Sequence, residues 1–284
     1  MNKRIFILLL AGIFLFTSLT FAKENKDIVV ALGKDLSEEQ KREMLSFFKV
    51  DDSVRIIQVS NEEEREYFGR YIDESILGTR AISSVYVERL PEGEGITVET
   101  HNISWVTEDM YRNASITAGV KDARIIVSSP VKVSGTAALT GIMKAFEDLT
   151  GESISKEEKE IASEEIAKTV LLGSEIGQEK AQELINNIKI YIIDNNIKGK
   201  GSIKKVAEEM AKDLGVELTD EQLNQIVSLM RNISKLDLNI EDIKQQLKDI
   251  SGKIDRIAQQ NIEIKSFLGR ILDAIMSFLN KIFG

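Results

Sequence analysis

The sequence predicts a chain of the α/β or α+β class: an N-terminal α/β domain with a mixed sheet, then an all-helical region that ends in a long heptad-patterned helix. Between Asp27 and Gly151, β-rich runs alternate with capped helical segments, as in α/β domains. From Ser153 onward, apolar residues recur at helical spacing and no strand pattern is convincing. These two observations divide the chain into dissimilar halves.

The elements of the first half are expected in the order β-α-β-α-β-β-α-β-α. Strands are expected at 27–32, 54–59, 81–90, 96–103 and 123–127, with helices between them and a last helix at 136–149. Ser37 with Gln40, and Ser60 with Glu63, have the capping-box spacing that opens a helix. The Pro- and Gly-containing stretch 91–95 predicts a hairpin between the third and fourth strands.

The second half is expected to be helical throughout. Helices are predicted at about 155–172, 175–193, 203–214 and 219–236. The change of pattern predicts an α/β domain at 23–151, a helical domain at 152–236 and a long amphipathic or coiled-coil helix at 237–284.

The N-terminal residues have the pattern of a secretory signal peptide. Lys3 and Arg4 precede an apolar run at 5–19, and Thr20 and Ala22 are small residues at the positions that a signal peptidase reads. The apolar run is shorter than the ~20 residues that a bilayer-spanning helix needs. We therefore expect a secreted, extracytoplasmic protein that is cleaved after Ala22, and an uncleaved N-terminal anchor is the alternative.

Composition excludes several classes of function. The chain has 284 residues, no cysteine and one histidine, which excludes disulfide scaffolds, Cys-ligated metal sites, cysteine catalysis and a lipid anchor on cysteine. With 37 basic and 46 acidic residues the net charge is −9, so a basic nucleic-acid footprint is absent. We expect no metal, no cofactor and no nucleic-acid partner.

The final helix has the sharpest pattern in the chain. From Ile240 onward, seam positions recur at alternating steps of three and four, and Asn261 is the one polar residue among them. The candidate interaction seam comprises Ile254, Ile257, Asn261, Ile264, Leu268, Ile271, Ile275, Phe278 and Ile282. Packing inside a bundle of this chain is the favoured interpretation. Self-association through the seam, and contact with a membrane or cell wall, are the alternatives.

Candidate chemistry is sparse. Glu99 and His101 share one face of a predicted strand and could form a general base, although a polar strand face is the favoured interpretation. Ser134, Gly135 and Thr136 open a predicted helix and could bind an anion, although an ordinary N-capped turn is favoured.

Acidic clusters give no further site. Glu62, Glu63 and Glu64 are adjacent, but their spacing does not match a calcium-binding loop. We expect them to be a solvated helix start that the helix dipole favours.

Several strings are specific to a known group of proteins. They are GTRAISS at 78–84, VETHNI at 98–103, TAGVKDA at 117–123 and VSGTAALTG at 133–141. Together they resemble the YpuA-like family of secreted bacterial proteins, a domain-of-unknown-function family. The resemblance implies an extracytoplasmic protein that forms one unit over most of the mature chain, with no assigned activity or catalytic residues.

Two classes of function are therefore open. The favoured one is a non-enzymatic binding or scaffold protein of the cell envelope, because the helical seam is strong and catalytic groups are few. The alternative is a cell-envelope hydrolase or transferase that uses the α/β domain.

Overall fold

A computed structural model of the chain describes residues 27–51, 53–238, 240, 241 and 243. The predicted signal peptide at 1–22 and the predicted seam from Ile254 to Ile282 lie outside these residues. Within the described part, no helix is both long and apolar enough to cross a membrane.

Five strands form one mixed sheet in the order β2-β1-β3-β5-β4, which confirms the sheet that the sequence predicts. The strands are β1 (Ile28–Gly33), β2 (Arg55–Val59), β3 (Ser84–Arg89), β4 (Ile96–Ile103) and β5 (Ala123–Val133). The β1/β2 and β4/β5 pairs are parallel, and β3 runs antiparallel to both β1 and β5. Four strands therefore end at the same edge of the sheet, where β3 begins.

The helices of the described residues account for the rest of the predicted order in the first half and for the four helices predicted between residues 155 and 236. They are α1 (Glu38–Phe47), α2 (Asn61–Phe68), α3 (Glu74–Leu77), α4 (Glu108–Thr117), α5 (Thr136–Thr150), α6 (Lys156–Ile176), α7 (Gln178–Asp194), α8 (Lys200–Asp213) and α9 (Asp220–Ile233). Both predicted capping boxes form, at the starts of α1 and α2. The short helix α3 is an addition to the predicted order.

The predicted hairpin at 91–95 is wrong. The third and fourth strands do not pair, because β5 lies between them. Asp122 at the start of β5 explains the path of the connection: its carboxylate accepts hydrogen bonds from the backbone N–H groups of Gly93 and Gly95, at 3.0 and 2.9 Å. The connection thus passes over the start of β5 and places β4 on the far side of that strand.

The fifth strand is longer than predicted. The sequence predicts this strand only at 123–127, but residues 128–133 continue β5 as far as Val133. The pairing with β4 is irregular here, since His101 is opposite Ser128 but Ile103 is opposite Val133. Such a bulge accommodates Pro130, which has no N–H to donate to a ladder.

Helices cover both faces of the sheet. Along β1, Val30 and Leu32 face α1, whereas Val29 and Ala31 face the larger core under α5. Alternate residues of a strand point to opposite faces, so an uninterrupted apolar run is what a sheet buried on both sides requires. Helix α5 approaches closely at Gly141, where a Cβ atom would lie 2.7 Å from Val85 Cγ2.

The core continues from the sheet into the C-terminal helices. Ile166 and Val170 of α6 are buried in the same cluster as the sheet residues, and so is Ile243, which is 1% exposed. Lys189 of α7 is also 1% exposed, and its ammonium group lies 2.7 Å from Glu165 Oε1 of α6. Packing is therefore continuous across residue 151, while α7, α8 and α9 also form a core cluster of their own around Leu184 and Ile226.

Candidate functional site

A cavity of about 320 Å³ lies at the sheet edge where four strands end. Its lining comes from three segments and one further residue. These are residues 76–80 at the end of α3 and just after it, Ile82 and Ser83 before β3, residues 133–137 where β5 ends and α5 begins, and Glu64. We call this cavity the Glu64 pocket. In α/β sheets, crevices outside the carboxyl ends of the strands are the usual position of ligand sites.

Glu64 lies in the first turns of α2 and is directed into the protein. The capping box at Ser60 fixes where α2 begins, and Glu64 is then only 1% exposed. The Nδ2 group of Asn61 donates to Glu64 Oε2 at 3.0 Å, and the Thr136 hydroxyl donates to Glu64 Oε1. The carboxyl group thus joins the starts of α2 and α5.

Burial changes the protonation of this carboxyl group. It raises the pKa of Glu64 to about 7, although hydrogen bonds from Thr136 and Asn61 and the charge of Arg65 act in the opposite direction. Desolvation penalises the charged form, which is why the burial effect wins. A carboxyl group with such a pKa can both donate and accept a proton near neutral pH.

Arg65 holds the rim of the pocket in place. Its Nε donates to Asn61 Oδ1 at 2.7 Å, and its Nη2 donates to the carbonyl oxygen of Gly78 at 2.5 Å. It also forms an ion pair with Glu74 of α3. Since Gly78 has a positive φ of 73°, the guanidinium secures a turn that glycine favours.

The three residues predicted to bind an anion line the pocket together. Gly135 is the N-cap of α5 with φ of 96°, and the Tyr111 hydroxyl donates to its carbonyl oxygen at 2.5 Å. Ser134 Oγ and Thr136 Oγ1 lie 3.3 Å apart. The group that Thr136 contacts is the protein's own carboxyl, that of Glu64, so the start of α5 already has an internal acidic partner.

Arg80 is on the exposed rim of the pocket. Unlike Arg65, it makes no hydrogen bond or ion pair with any residue in the described part of the chain. Its guanidinium is therefore available to a ligand.

The other predicted pair, Glu99 and His101, lies away from the pocket. Both side chains are exposed on the α1 face of β4. Glu99 Oε1 lies 3.3 Å from the Arg124 guanidinium, and the His101 ring packs edge-on against Phe47 with 4.8 Å between ring centroids. Within the described residues, no group of three or more acidic or histidine side chains could hold a metal ion.

Sequence reasoning missed Glu64 and Arg80. The expectation that 62–64 is a solvated helix start is wrong for Glu64, which is buried, while Glu62 is solvated as expected. A signal was present: Asn61, Glu64 and Phe68 follow helical spacing, and all three are buried. Phe68 alone among them is apolar, so the stripe did not resemble a core face.

The fold and the pocket together define an α/β protein with a small polar cavity. The chain belongs to the family described as "Protein of unknown function (DUF1002)", whose model matches residues 32–250, the range that contains every residue of the Glu64 pocket. It is similar to the uncharacterized protein YpuA of Bacillus subtilis (strain 168), with 42% identity over 257 residues, which cover 90% of this chain and 88% of that protein. No solved structure matches the chain.

Proposed function

We propose that the protein acts outside the cytoplasm as a non-enzymatic binding protein of the cell envelope, and that it holds a small polar ligand in the Glu64 pocket. The observation that carries this proposal is the pocket itself. Its lining combines a buried carboxyl group, an available guanidinium and the hydroxyl-bearing residues Thr79, Ser83 and Ser134. A concave site with a few convergent polar groups is the usual form of a small-molecule site.

The extracytoplasmic location is supported by the sequence. A positive start, a short apolar run and small residues before position 23 are the features of a cleaved signal peptide. The apolar spacing from Ile254 to Ile282 supports the scaffold part of the proposal, in which the predicted C-terminal helix contacts a second copy, a membrane or the cell wall.

Ligand screening of the mature chain, residues 23–284, tests the binding proposal. Thermal unfolding would be followed with a panel of monosaccharides, amino acids and small organic acids, because a ligand that binds only the folded state raises the melting temperature. We expect at least one class of ligand to stabilise the protein, and titration calorimetry would confirm it.

A matched pair of variants locates the binding. Thr79→Trp places a large side chain on the exposed rim of the pocket, and Thr97→Trp makes the same change at an exposed position on β4. Thr79→Trp should abolish the stabilisation and Thr97→Trp should preserve it. Stabilisation that survives in Thr79→Trp, or a panel without any effect, would contradict the proposal.

A hydrolase or transferase of the cell envelope is the second candidate function. The raised pKa of Glu64, about 7, favours it, because a general acid–base group is most effective near its operating pH. Ester, phosphate and peptidoglycan substrates would be tested for turnover. Glu64→Gln should lower any turnover by roughly 10²–10⁴-fold, whereas His101→Ala, outside the pocket, should leave it unchanged.

A further inference from the structure

The charge of the Glu64 pocket narrows the class of ligand, and this inference rests on the proposed binding function. Among the residues that line the pocket, Arg80 is the single cation. It has no hydrogen-bond or ion-pair partner among the described residues. Arg65 lies behind the rim and is already engaged by Asn61, Glu74 and the Gly78 carbonyl. A single available guanidinium favours a ligand with one negative group.

A carboxylate is the group that fits this guanidinium best. The planar fork of an arginine presents two parallel N–H groups, which match the two oxygens of a carboxylate. A dianion would leave a second negative charge without a partner, next to the buried carboxyl group of Glu64. A cationic ligand would be repelled by the positive charge of Arg80.

The rest of the lining favours hydroxyl groups on a compact ligand. Thr79, Ser83 and Ser134 contribute hydroxyls, which can donate and accept, while Ile76 and Ile82 contribute apolar surface. At about 320 Å³, the cavity is at the small end of the roughly 300–1,000 Å³ range of ligand pockets. It therefore suits one ring and not a chain of rings.

We propose that the Glu64 pocket binds a sugar acid, a single sugar ring with one carboxylate, whose carboxylate pairs with Arg80 and whose hydroxyl groups hydrogen-bond to the threonine and serine side chains and to Glu64. Glu64 has acceptor capacity for this contact, since the two oxygens of a carboxylate offer about four lone-pair sites and the donors within the protein are Asn61, Thr136 and the backbone of Ala137. The apolar residues then contact the C–H groups of the ring.

Four probes with the same ring and different charges test the inference: glucuronate, glucose, glucosamine and glucose 6-phosphate. Their affinities for the mature chain would be measured by calorimetry or ligand-observed NMR at constant ionic strength, because salt screens charge interactions at exposed sites. Glucuronate should bind at least about tenfold more tightly than glucose, since hydrogen bonds between charged groups are the stronger ones.

The variants Arg80→Gln and Arg89→Gln supply the matched comparison, because Arg89 is an exposed arginine at the far end of β3. Arg80→Gln should weaken glucuronate about tenfold and leave glucose unchanged, and Arg89→Gln should change neither.

Other binding results would overturn the sugar-acid inference and not the binding function on which it rests. Equal binding of glucose and glucuronate, or no effect of Arg80→Gln, would overturn the sugar-acid inference but leave the binding function intact. Preference for glucosamine would show that Glu64 selects a cation, and preference for glucose 6-phosphate would show that the pocket takes a dianion. Failure of all four probes would also overturn the inference, and the wider panel described above then decides the proposed function.

Discussion

Glu64 and Gly135 are the two residues on which the pocket depends most directly. The first supplies a buried carboxyl group that joins α2 to α5, and the second opens α5 in a left-handed conformation. Burial of Glu64 carries a local energetic cost, the desolvation of a charge, whereas Gly135 has a backbone conformation that would be strained for any residue with a Cβ atom. Both effects can be measured as changes in stability.

Glu64 should make the protein less stable as the pH rises. The folded-state pKa of about 7 is above the ordinary value of 4.5, so the folded protein retains a proton at Glu64 that the unfolded chain has released. The stability is therefore full below pH 4.5, falls between pH 4.5 and 7, and stays low above 7. Between pH 5 and 8, urea unfolding should show a loss of about 2–3 kcal/mol that Glu64→Gln removes.

Glu62→Gln is the control for this measurement. Glu62 is on the same helix but fully exposed, and hydrogen bonds lower its pKa, so it does not titrate in this window. Burial also raises the pKa of Glu183, but that effect is common to all the variants and cancels in the comparison. A pH dependence that is the same in Glu64→Gln and in the unsubstituted chain would contradict the role of Glu64.

Gly135→Ala should be strongly destabilising. The backbone φ of 96° is strained for alanine, and the added Cβ would meet the Tyr111 hydroxyl and would lie 2.6 Å from Ile103 Cγ2. We expect a loss of about 3 kcal/mol, from strain and overpacking together. Gly119→Ala is the matched control, because φ is 79° there and nothing lies within 4 Å of the Cβ position.

The control should lose only about 1 kcal/mol, the cost of the backbone conformation alone. Denaturant unfolding of both variants measures the two losses in the free energy of unfolding. Similar losses at the two glycines would mean that the contact with Tyr111 and Ile103 is unimportant.

At the scale of elements, a buried ion pair joins three helices. The Lys189 ammonium of α7 contacts Glu165 of α6 and donates to Thr117 Oγ1 and the Asn113 carbonyl of α4, at 3.2 and 3.1 Å. Thr117 in turn donates to Glu165. A buried charge without its partner is far more costly than the pair, so the three helices depend on each other.

Lys189→Met should therefore lower the free energy of unfolding by about 3–5 kcal/mol, because Glu165 is left buried and uncompensated. The double variant Lys189→Met/Glu165→Gln should recover a large part of this loss. Lys204→Met provides the comparison: its pair with Glu208 is exposed, with 3.8 Å between the charged atoms, and should contribute at most about 0.5 kcal/mol. A double variant no more stable than Lys189→Met would argue against the ion-pair explanation.

At the scale of the whole molecule, the core runs from the sheet through α6 to Ile243. Ile243 packs in the same cluster as sheet residues such as Val85 and Ile125. It lies eleven residues before Ile254, where the candidate seam begins, so a shortened chain that is meant to remove the seam must retain Ile243.

Removal of residues 245–284 tests the role of the seam. If the scaffold proposal holds, residues 23–284 should show a larger mass by light scattering after size exclusion, or sediment with anionic vesicles or isolated cell wall, since an apolar seam that is not covered within its own chain requires a partner surface. Residues 23–244 should be monomeric and should bind neither. Identical monomeric behaviour of the two chains, without binding by either, would eliminate the scaffold part of the proposed function.

Local patterns predicted the elements well and their partners poorly. The strand at 96–103 and the capping boxes at Ser37 and Ser60 are where the sequence places them, because periodicity and caps depend on neighbouring residues. The stretch 91–95 has hairpin composition, yet β5 lies between β3 and β4, and the connection hydrogen-bonds to Asp122, far along the chain. Strand order is a non-local property that turn composition does not report.

The sequence by itself determined the kind of each element except α3 and the last part of β5, the alternation of the first half, the four helices between 155 and 236, and the family. Those features follow from residue spacing and composition. Only the tertiary structure decided the strand order, the burial of Glu64 and the meeting of 78–80 with 133–137 around one cavity. The physical reason is that the pKa of a carboxyl group and the availability of a guanidinium depend on what surrounds them, and their surroundings come from segments distant in the sequence.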